Sequence, residues 1–364
     1  VSFDYNENPF IVIWEVTRAC ALKCLHCRAE AQHLRDPREL SFFEGKNLID
    51  QIYEMGNPLL VLTGGDPLMR EDLYDLIDYA VKKGVRVSMT PSATPRVTKK
   101  AMEKAKSAGL SRWAFSLDGP NREIHDHFRG TKGSFDLTMK AIRHLQDLNM
   151  PIQINTVVSH YNVEELKDMA ELMEQLGTVL WSVFFLVPTG RASTMEPISK
   201  EKHEEVLHWL AELKETSTYD IKTTEAPHFR RVLMQRELLK AKSDRVRTKR
   251  KDILGRAPKG VNDGNGFVFI SHIGDVFPSG FLPIHCGNIR NELLSTIYRE
   301  NPVFKQLRDP DQFKGKCGIC EYRQLCGGSR ARAYAVTGDY LQEEPYCIYI
   351  PKQARKKKET QMQL

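Results

Sequence analysis

No apolar run among the 364 residues approaches the ~20 needed to cross a bilayer. Residues 1–9 are polar and lack the basic and apolar regions of a signal peptide. A membrane span and secretion are therefore not expected, and a cytoplasmic location is. Cysteine is missing from residue 28 to residue 285; all eight fall in two groups, three at 20–27 and five from Cys286 to Cys347. In a long chain without an export signal, such groups suit metal ligation or redox chemistry better than disulfides. There is no internal repeat beyond a strand–helix rhythm, and low-complexity sequence is confined to a Lys-rich tail. The basic stretch 230–259 lacks interleaved aromatics beyond the adjoining Phe229, and no recognised nucleic-acid-binding module is present, so nucleic acid is not expected as a partner.

What is present is ordinary in bulk and uneven in charge. A hydrophobic share of 41% against 27% charged residues fits a globular chain with a large core. The net charge is +6, yet residues 230–259 carry twelve Lys or Arg against three acids, a local +9, so the remainder sums to −3. Residues 352–364 add five bases and one acid. Two readings stay open: a solvated helix face with a frayed terminus, or a cationic rim for an acidic substrate or partner.

Apolar, β-branched stretches recur at 10–16, 59–62, 85–89, 112–117, 152–158 and 179–187, with helical patterns between them. Ser41 with Glu44, and Asn162 with Glu165, read as capping boxes. Gly56, Gly84, Gly109 and Gly177 read as helix stops. Six strands, each followed by a helix, favour a parallel sheet with right-handed crossovers, either an open doubly wound sheet or a partial barrel. In such folds chemistry gathers at the C-terminal ends of strands. Every unusual motif here occupies such an end: the first cysteine group, Thr63–Pro67, Thr90–Ser92, Ser116–Gly119, Asn155–Thr156 and Pro188–Arg191. From about Tyr219 to Gly266 the rhythm is lost, and a hairpin around Gly274 and Asp275 follows.

Cys20, Cys24 and Cys27 have the spacing C-x3-C-x2-C directly after the first strand. Three thiolates can hold three irons of a cubane cluster and leave the fourth iron free. A zinc site or loose thiols are the alternatives, although no fourth ligand lies nearby. The spacing, with His26 as an aromatic ring before the last cysteine, resembles the radical S-adenosylmethionine (SAM) superfamily. That resemblance implies a partial (β/α)6 barrel of α/β class and a [4Fe–4S] cluster whose open iron chelates SAM.

The same resemblance carries over to further positions. Gly64, Gly65, Asp66 and Pro67 are similar to the superfamily's GGEP motif, with Asp in place of Glu, and would present peptide groups to the amino end of SAM. Ser116 and Asp118 lie in a run similar to its fourth-strand motif and would bond the ribose or methionine end. Arg129 would pair with the SAM carboxylate, since guanidinium recognises carboxylate bidentately; the alternative is a surface salt bridge. Asn155 and Val187 are expected near the ribose and the adenine.

Cys317-x2-Cys320-x5-Cys326 and Cys347 form a four-thiolate set with no ligand missing. The set resembles the SPASM or twitch extension, which implies an auxiliary [4Fe–4S] cluster; a zinc ribbon is the alternative. Ser329 and Arg330 stand where a further SPASM cysteine would fall, so one auxiliary cluster is expected, with Cys286 either a spare ligand or a buried thiol. The expected division is a barrel over 1–218, a basic helical bridge over 219–266, a SPASM/twitch-type domain over 267–350 and a disordered tail over 351–364.

The stretch from Cys326 to Asp339 resembles enzymes that trim tetrapyrrole side chains in siroheme-derived haem pathways, and also peptide maturases. The reading is therefore a radical SAM enzyme acting on a carboxylate-bearing tetrapyrrole, whose carboxylates the basic segment and Arg332 would meet. A precursor peptide is the alternative substrate. It is disfavoured because only nineteen residues precede Cys20, too few for a leader-binding domain. A low-potential electron donor such as flavodoxin or ferredoxin is the implied partner. A non-catalytic metal-binding scaffold would have no use for the glycine and hydroxyl motifs at the strand ends.

Overall fold

The computed structural model describes residues 4–241 and 260–355. Strands β1 (Ile11–Glu15), β2 (Leu59–Thr63), β3 (Val87–Met89), β4 (Arg112–Ser116), β5 (Ile152–Val158), β6 (Leu180–Phe185) and β7 (Asp220–Thr224) lie side by side in chain order. Every neighbouring pair among them is parallel. The crossovers are the helices α1 (Phe42–Glu54), α2 (Leu73–Lys83), α3 (Lys99–Ser107), α4 (Arg122–Arg129), α5 (Ser134–Asp147), α6 (Leu166–Gln175) and α7 (Lys200–Thr216), and α8 (Phe229–Ala241) follows β7. Then β8 (Phe267–Ile270) adds to the free side of β1 in parallel, and β9 (Asp275–Phe277) and β10 (Gly287–Asn288) continue it antiparallel. The sheet therefore ends at β10 and β7 without closing, a partial barrel.

Local sequence explains most of these elements. Both bonds of the Ser41–Glu44 box are made, Glu44 N–H to Ser41 Oγ at 3.3 Å and Ser41 N–H to Glu44 Oε2 at 2.7 Å. Gly84 ends α2 at φ +97°, a conformation that side chains with a Cβ rarely adopt. Gly274 makes the β8–β9 turn at φ +88°. Trp14, Trp113 and Trp181 on β1, β4 and β6 are completely buried, Trp14 against Gly45 of α1 and Trp181 edge-on to Trp209 of α7.

Three expectations need correction. Residues 219–266 are not simply a bridge, because Asp220–Thr224 is a seventh strand beside β6. Ile221 alone of its five residues is buried, so the strand carries no apolar alternation in its sequence. Asn162 does not cap through its side chain; its Oδ1 accepts from Ser159 N–H at 2.9 Å and its Nδ2 donates to Asp118 O at 2.9 Å. The tail does not begin disordered, since Lys352 N–H bonds Glu321 Oε2 at 3.2 Å; residues 356–364 lie outside the described residues.

Candidate active site

The first cysteine loop is locked to the end of β2. Gly65 N–H donates to Thr17 O at 2.8 Å, and Asp66 N–H donates to Ala19 O at 2.7 Å. A Cβ on Gly64 would stand 2.5 Å from Thr17 O, and one on Gly65 would stand 2.4 Å from Ala19 O. Close approach of two backbones therefore demands both glycines, and the N–H groups of Gly65 and Asp66 serve the cysteine loop. Pro67 follows as the first residue of a short 3-10 turn. Cys20 and Cys24 are buried and Cys27 half-buried. Ser92, after β3, holds the loop from a third strand: its Oγ lies 3.6 Å from Cys20 Sγ and donates to Gly65 O at 3.0 Å.

Asp66 is fully buried. Its Oδ1 accepts from Leu68 N–H at 3.2 Å and its Oδ2 from Thr94 Oγ1 at 2.8 Å. Burial outweighs these bonds and pushes the carboxyl up to about 6.

On the other side of the loop, Asp118 Oδ2 lies 2.9 Å from Arg129 Nε, while Oδ1 accepts from Val157 N–H at 2.8 Å. Arg129 Nη1 reaches 3.5 Å to Cys24 Sγ, and Nη2 is buried with no partner. His26 stacks on Phe128 with centroids 4.2 Å apart; burial, then Arg129, drives its pKa well below the usual imidazole value. Its Nδ1 is also buried and unpartnered. Arg191 N–H bonds Cys27 O at 3.1 Å, while its Nε and Nη2 are likewise buried without partners.

The structure thus gathers Cys20, Gly65, Asp66 and Ser92 on one side of the loop, and Cys24, His26, Asp118 and Arg129 on the other. Asp118 acts there as the counter-charge of Arg129, which is no surface salt bridge. Ser116 and Asn155 are register partners on β4 and β5, and Asn155 Oδ1 accepts from Gln153 Nε2 at 2.8 Å. Val187 is buried in a small core with Leu282, Leu307 and Ala331, so its side chain is committed to packing. Ser92 and Arg191 were visible only as members of strand-end motifs.

The second group is a separate pocket. Cys317, Cys320, Cys326 and Cys347 line it together with His228 and Arg231. Glu344 N–H donates to Cys317 Sγ at 3.3 Å and Arg330 Nη2 lies 3.6 Å away. Burial pushes Cys326 up to about 12 and Cys347 up to about 11, so these thiols hold a charge only if a metal takes it. Among the described residues no three His, Cys, Asp or Glu side chains converge where one ion could sit. Cys286 is outside this pocket, packed in the main core, with burial pushing its thiol up to about 12.

Arg332 does not reach toward a substrate. It is fully buried, pairs with Glu344 at 3.1 Å and donates to Leu186 O, Phe185 O and Glu225 O at 3.3, 3.2 and 2.6 Å. It ties the helix Arg330–Thr337 to the ends of β6 and β7. The described bases of the cationic segment are engaged too. Arg231 pairs with Glu204 at 2.6 Å, Arg236 with Glu212 at 3.0 Å and Lys240 with Glu215 at 2.5 Å. Residues 242–259 of that segment lie outside the described residues.

Residues 14–173 match the model of the radical SAM superfamily. An AdoMet-dependent heme synthase of Methanosarcina barkeri is 43% identical over 346 residues, covering 95% of this chain and 98% of that protein. The mycofactocin maturase MftC of Mycolicibacterium smegmatis is 31% identical, covering 94% and 83%. Among solved structures, Streptococcus suis SuiB bound to S-adenosylmethionine superposes with a TM-score of 0.70 at 14% identity, covering 94% of this chain and 78% of that one, a likeness of fold. With three cysteines at an open-cluster spacing, buried cationic and imidazole nitrogens around them and these likenesses along the chain, it belongs to the radical SAM superfamily and is a radical SAM enzyme.

Proposed function

We propose that this enzyme oxidatively removes the carboxyl of a side chain on a haem-type tetrapyrrole, in the cytoplasm, using electrons from a flavodoxin- or ferredoxin-type donor. The observation that carries the substrate class is the end-to-end likeness to the Methanosarcina barkeri heme synthase, at 43% identity. Cys20, Cys24 and Cys27 would hold the SAM-binding [4Fe–4S] cluster. When bound, that cluster supplies the electron that cleaves SAM to methionine and a 5′-deoxyadenosyl radical. The idle nitrogens fit the group: Arg129 Nη2 is a buried cationic donor beside Cys24, as a SAM carboxylate requires. Asp118 fixes Arg129 in place, Gly64 to Pro67 hold the cysteine loop at the strand ends, and Ser116 and Asn155 offer hydroxyl and amide groups for the ribose. The family resemblance would put Val187 near the adenine.

Cys317, Cys320, Cys326 and Cys347 would hold one auxiliary [4Fe–4S] cluster. Full thiolate ligation suits it to electron transfer rather than substrate binding. Loss of a carboxyl after hydrogen abstraction releases one electron, so an acceptor near the substrate is needed. The test is anaerobic reconstitution with iron and sulfide, followed by SAM, dithionite and an iron porphyrin bearing propionates. Conversion of propionate to vinyl, seen by mass spectrometry, is expected. Deoxyadenosine without any tetrapyrrole product, together with modification of a precursor peptide, would replace this reading with the maturase one that the 31% likeness to MftC favours. Cys317→Ala is expected to keep deoxyadenosine formation and lose product.

A further inference from the structure

Resting on the four-cysteine pocket as the site of an auxiliary cluster, we propose that His228 donates a hydrogen bond from its imidazole to a sulfur of that cluster and thereby raises its reduction potential. His228 sits between the end of β7 and the start of α8, 1% exposed, and lines the pocket with all four cysteines. Both its Nδ1 and Nε2 are buried with no partner. A buried donor left unbonded forfeits its hydration with nothing in return, and an imidazole carries at least one N–H in either of its common protonation states. Two idle nitrogens on one ring are thus a strong sign of an absent acceptor.

The surroundings narrow what that acceptor is. His203 stacks at 5.4 Å between centroids and offers the ring no hydrogen bond. Arg231, a cation lining the same pocket, directs Nη1 to Gln235 Oε1 at 2.9 Å and Nη2 to Glu204 Oε2 at 2.6 Å, so that Nε is the one donor atom it keeps without a partner. Cys317 already has two donors, Glu344 N–H and Arg330 Nη2. Four thiolates complete the ligation of a cubane, so the role left to His228 is a hydrogen bond to sulfur rather than coordination. Such bonds spread negative charge from the reduced cluster and favour reduction. His228 is a positioning and tuning residue on the barrel side of the pocket, contributed from outside the cysteine-rich segment.

The test uses the full chain with Cys20→Ala, Cys24→Ala and Cys27→Ala together, so that only the second site can hold iron. After anaerobic reconstitution this parent should carry about four irons per chain; no iron there would overturn the auxiliary-cluster reading itself. With the cluster in place, His228→Phe should shift the one-electron reduction equilibrium at least tenfold toward the oxidised form, about 59 mV lower in an EPR-monitored titration. His228→Gln, which keeps an N–H donor, should reverse most of that shift. An unchanged potential in His228→Phe overturns the inference alone. Should His228→Phe fail to fold, ¹⁵N-histidine labelling of the parent decides. A weak nitrogen coupling to the reduced cluster, lost in His228→Gln, is expected. No coupling, or the strong coupling of a direct ligand, overturns it.

Discussion

Arg129 Nε lies 2.9 Å from Asp118 Oδ2, and this buried pair aims the rest of the guanidinium at the cysteine loop, with Nη1 3.5 Å from Cys24 Sγ. Asp118 has no exposed surface and is itself held by Val157 N–H and by its own backbone bonds to His125 and Asn162. A cation is thereby fixed beside the open-cluster motif before any ligand arrives.

Removing the cation should separate stability from binding. Arg129→Met leaves Asp118 charged and buried, which should destabilise the apo chain by about 3–5 kcal/mol in a urea titration. Arg129→Lys keeps the charge but loses the planar fork, and should weaken SAM binding roughly 10- to 100-fold by isothermal calorimetry. Equal SAM affinity in the Lys variant would remove Arg129 from the SAM site.

Gly65→Ala tests the docking of the two loops. The new Cβ would fall 2.4 Å from Ala19 O, a backbone atom that cannot rotate away. The cysteine loop must shift, so iron after reconstitution should drop by about four per chain, with the second cysteine group unaffected. Full iron content would show that the approach is not needed.

Asp66 gives a pH dependence. Its folded pKa is raised to about 6 from 3.8, so the folded chain binds its proton more tightly than the unfolded chain. The stabilising effect is present below about 3.8 and is lost as pH rises to about 6. Asp66→Asn removes this loss, so the variant should gain up to about 3 kcal/mol relative to the parent apo chain between pH 4 and pH 8. Parallel stability curves across that range would refute it.

Cys286→Ala should leave iron content and the EPR spectrum unchanged. The thiol sits in the apolar core, its pKa pushed to about 12 by burial, with Sγ 3.4 Å from Ile284 O. The expected loss is about 1 kcal/mol of stability from the smaller side chain. Loss of iron would make Cys286 a ligand.

Much of the scaffold could be read without coordinates because its signals are local. Six strands, the Ser41–Glu44 box and the stops at Gly56, Gly84, Gly109 and Gly177 depend on residues within one or two turns of each other. β7 gives no such local signal, because its five residues bury only Ile221. The second capping box failed because Asn162 bonds Asp118 O, 44 residues away, and a distant partner outcompeted the local one.

The cysteine spacings were determined by the sequence itself, since ligands separated by two or three residues share one loop whatever the rest of the chain does. The tertiary structure alone decided the partners of isolated charged and aromatic side chains. Arg332 looked like a free cation for substrate until the fold set it against Phe185 O, 147 positions earlier. His228, with no motif around it, acquired significance when β7 and α8 carried it to the wall of a pocket built from residues 316–351. Such contacts arise from chain closure over long separations, where burial and unsatisfied hydrogen-bonding groups, rather than neighbouring residues, determine which side chains meet.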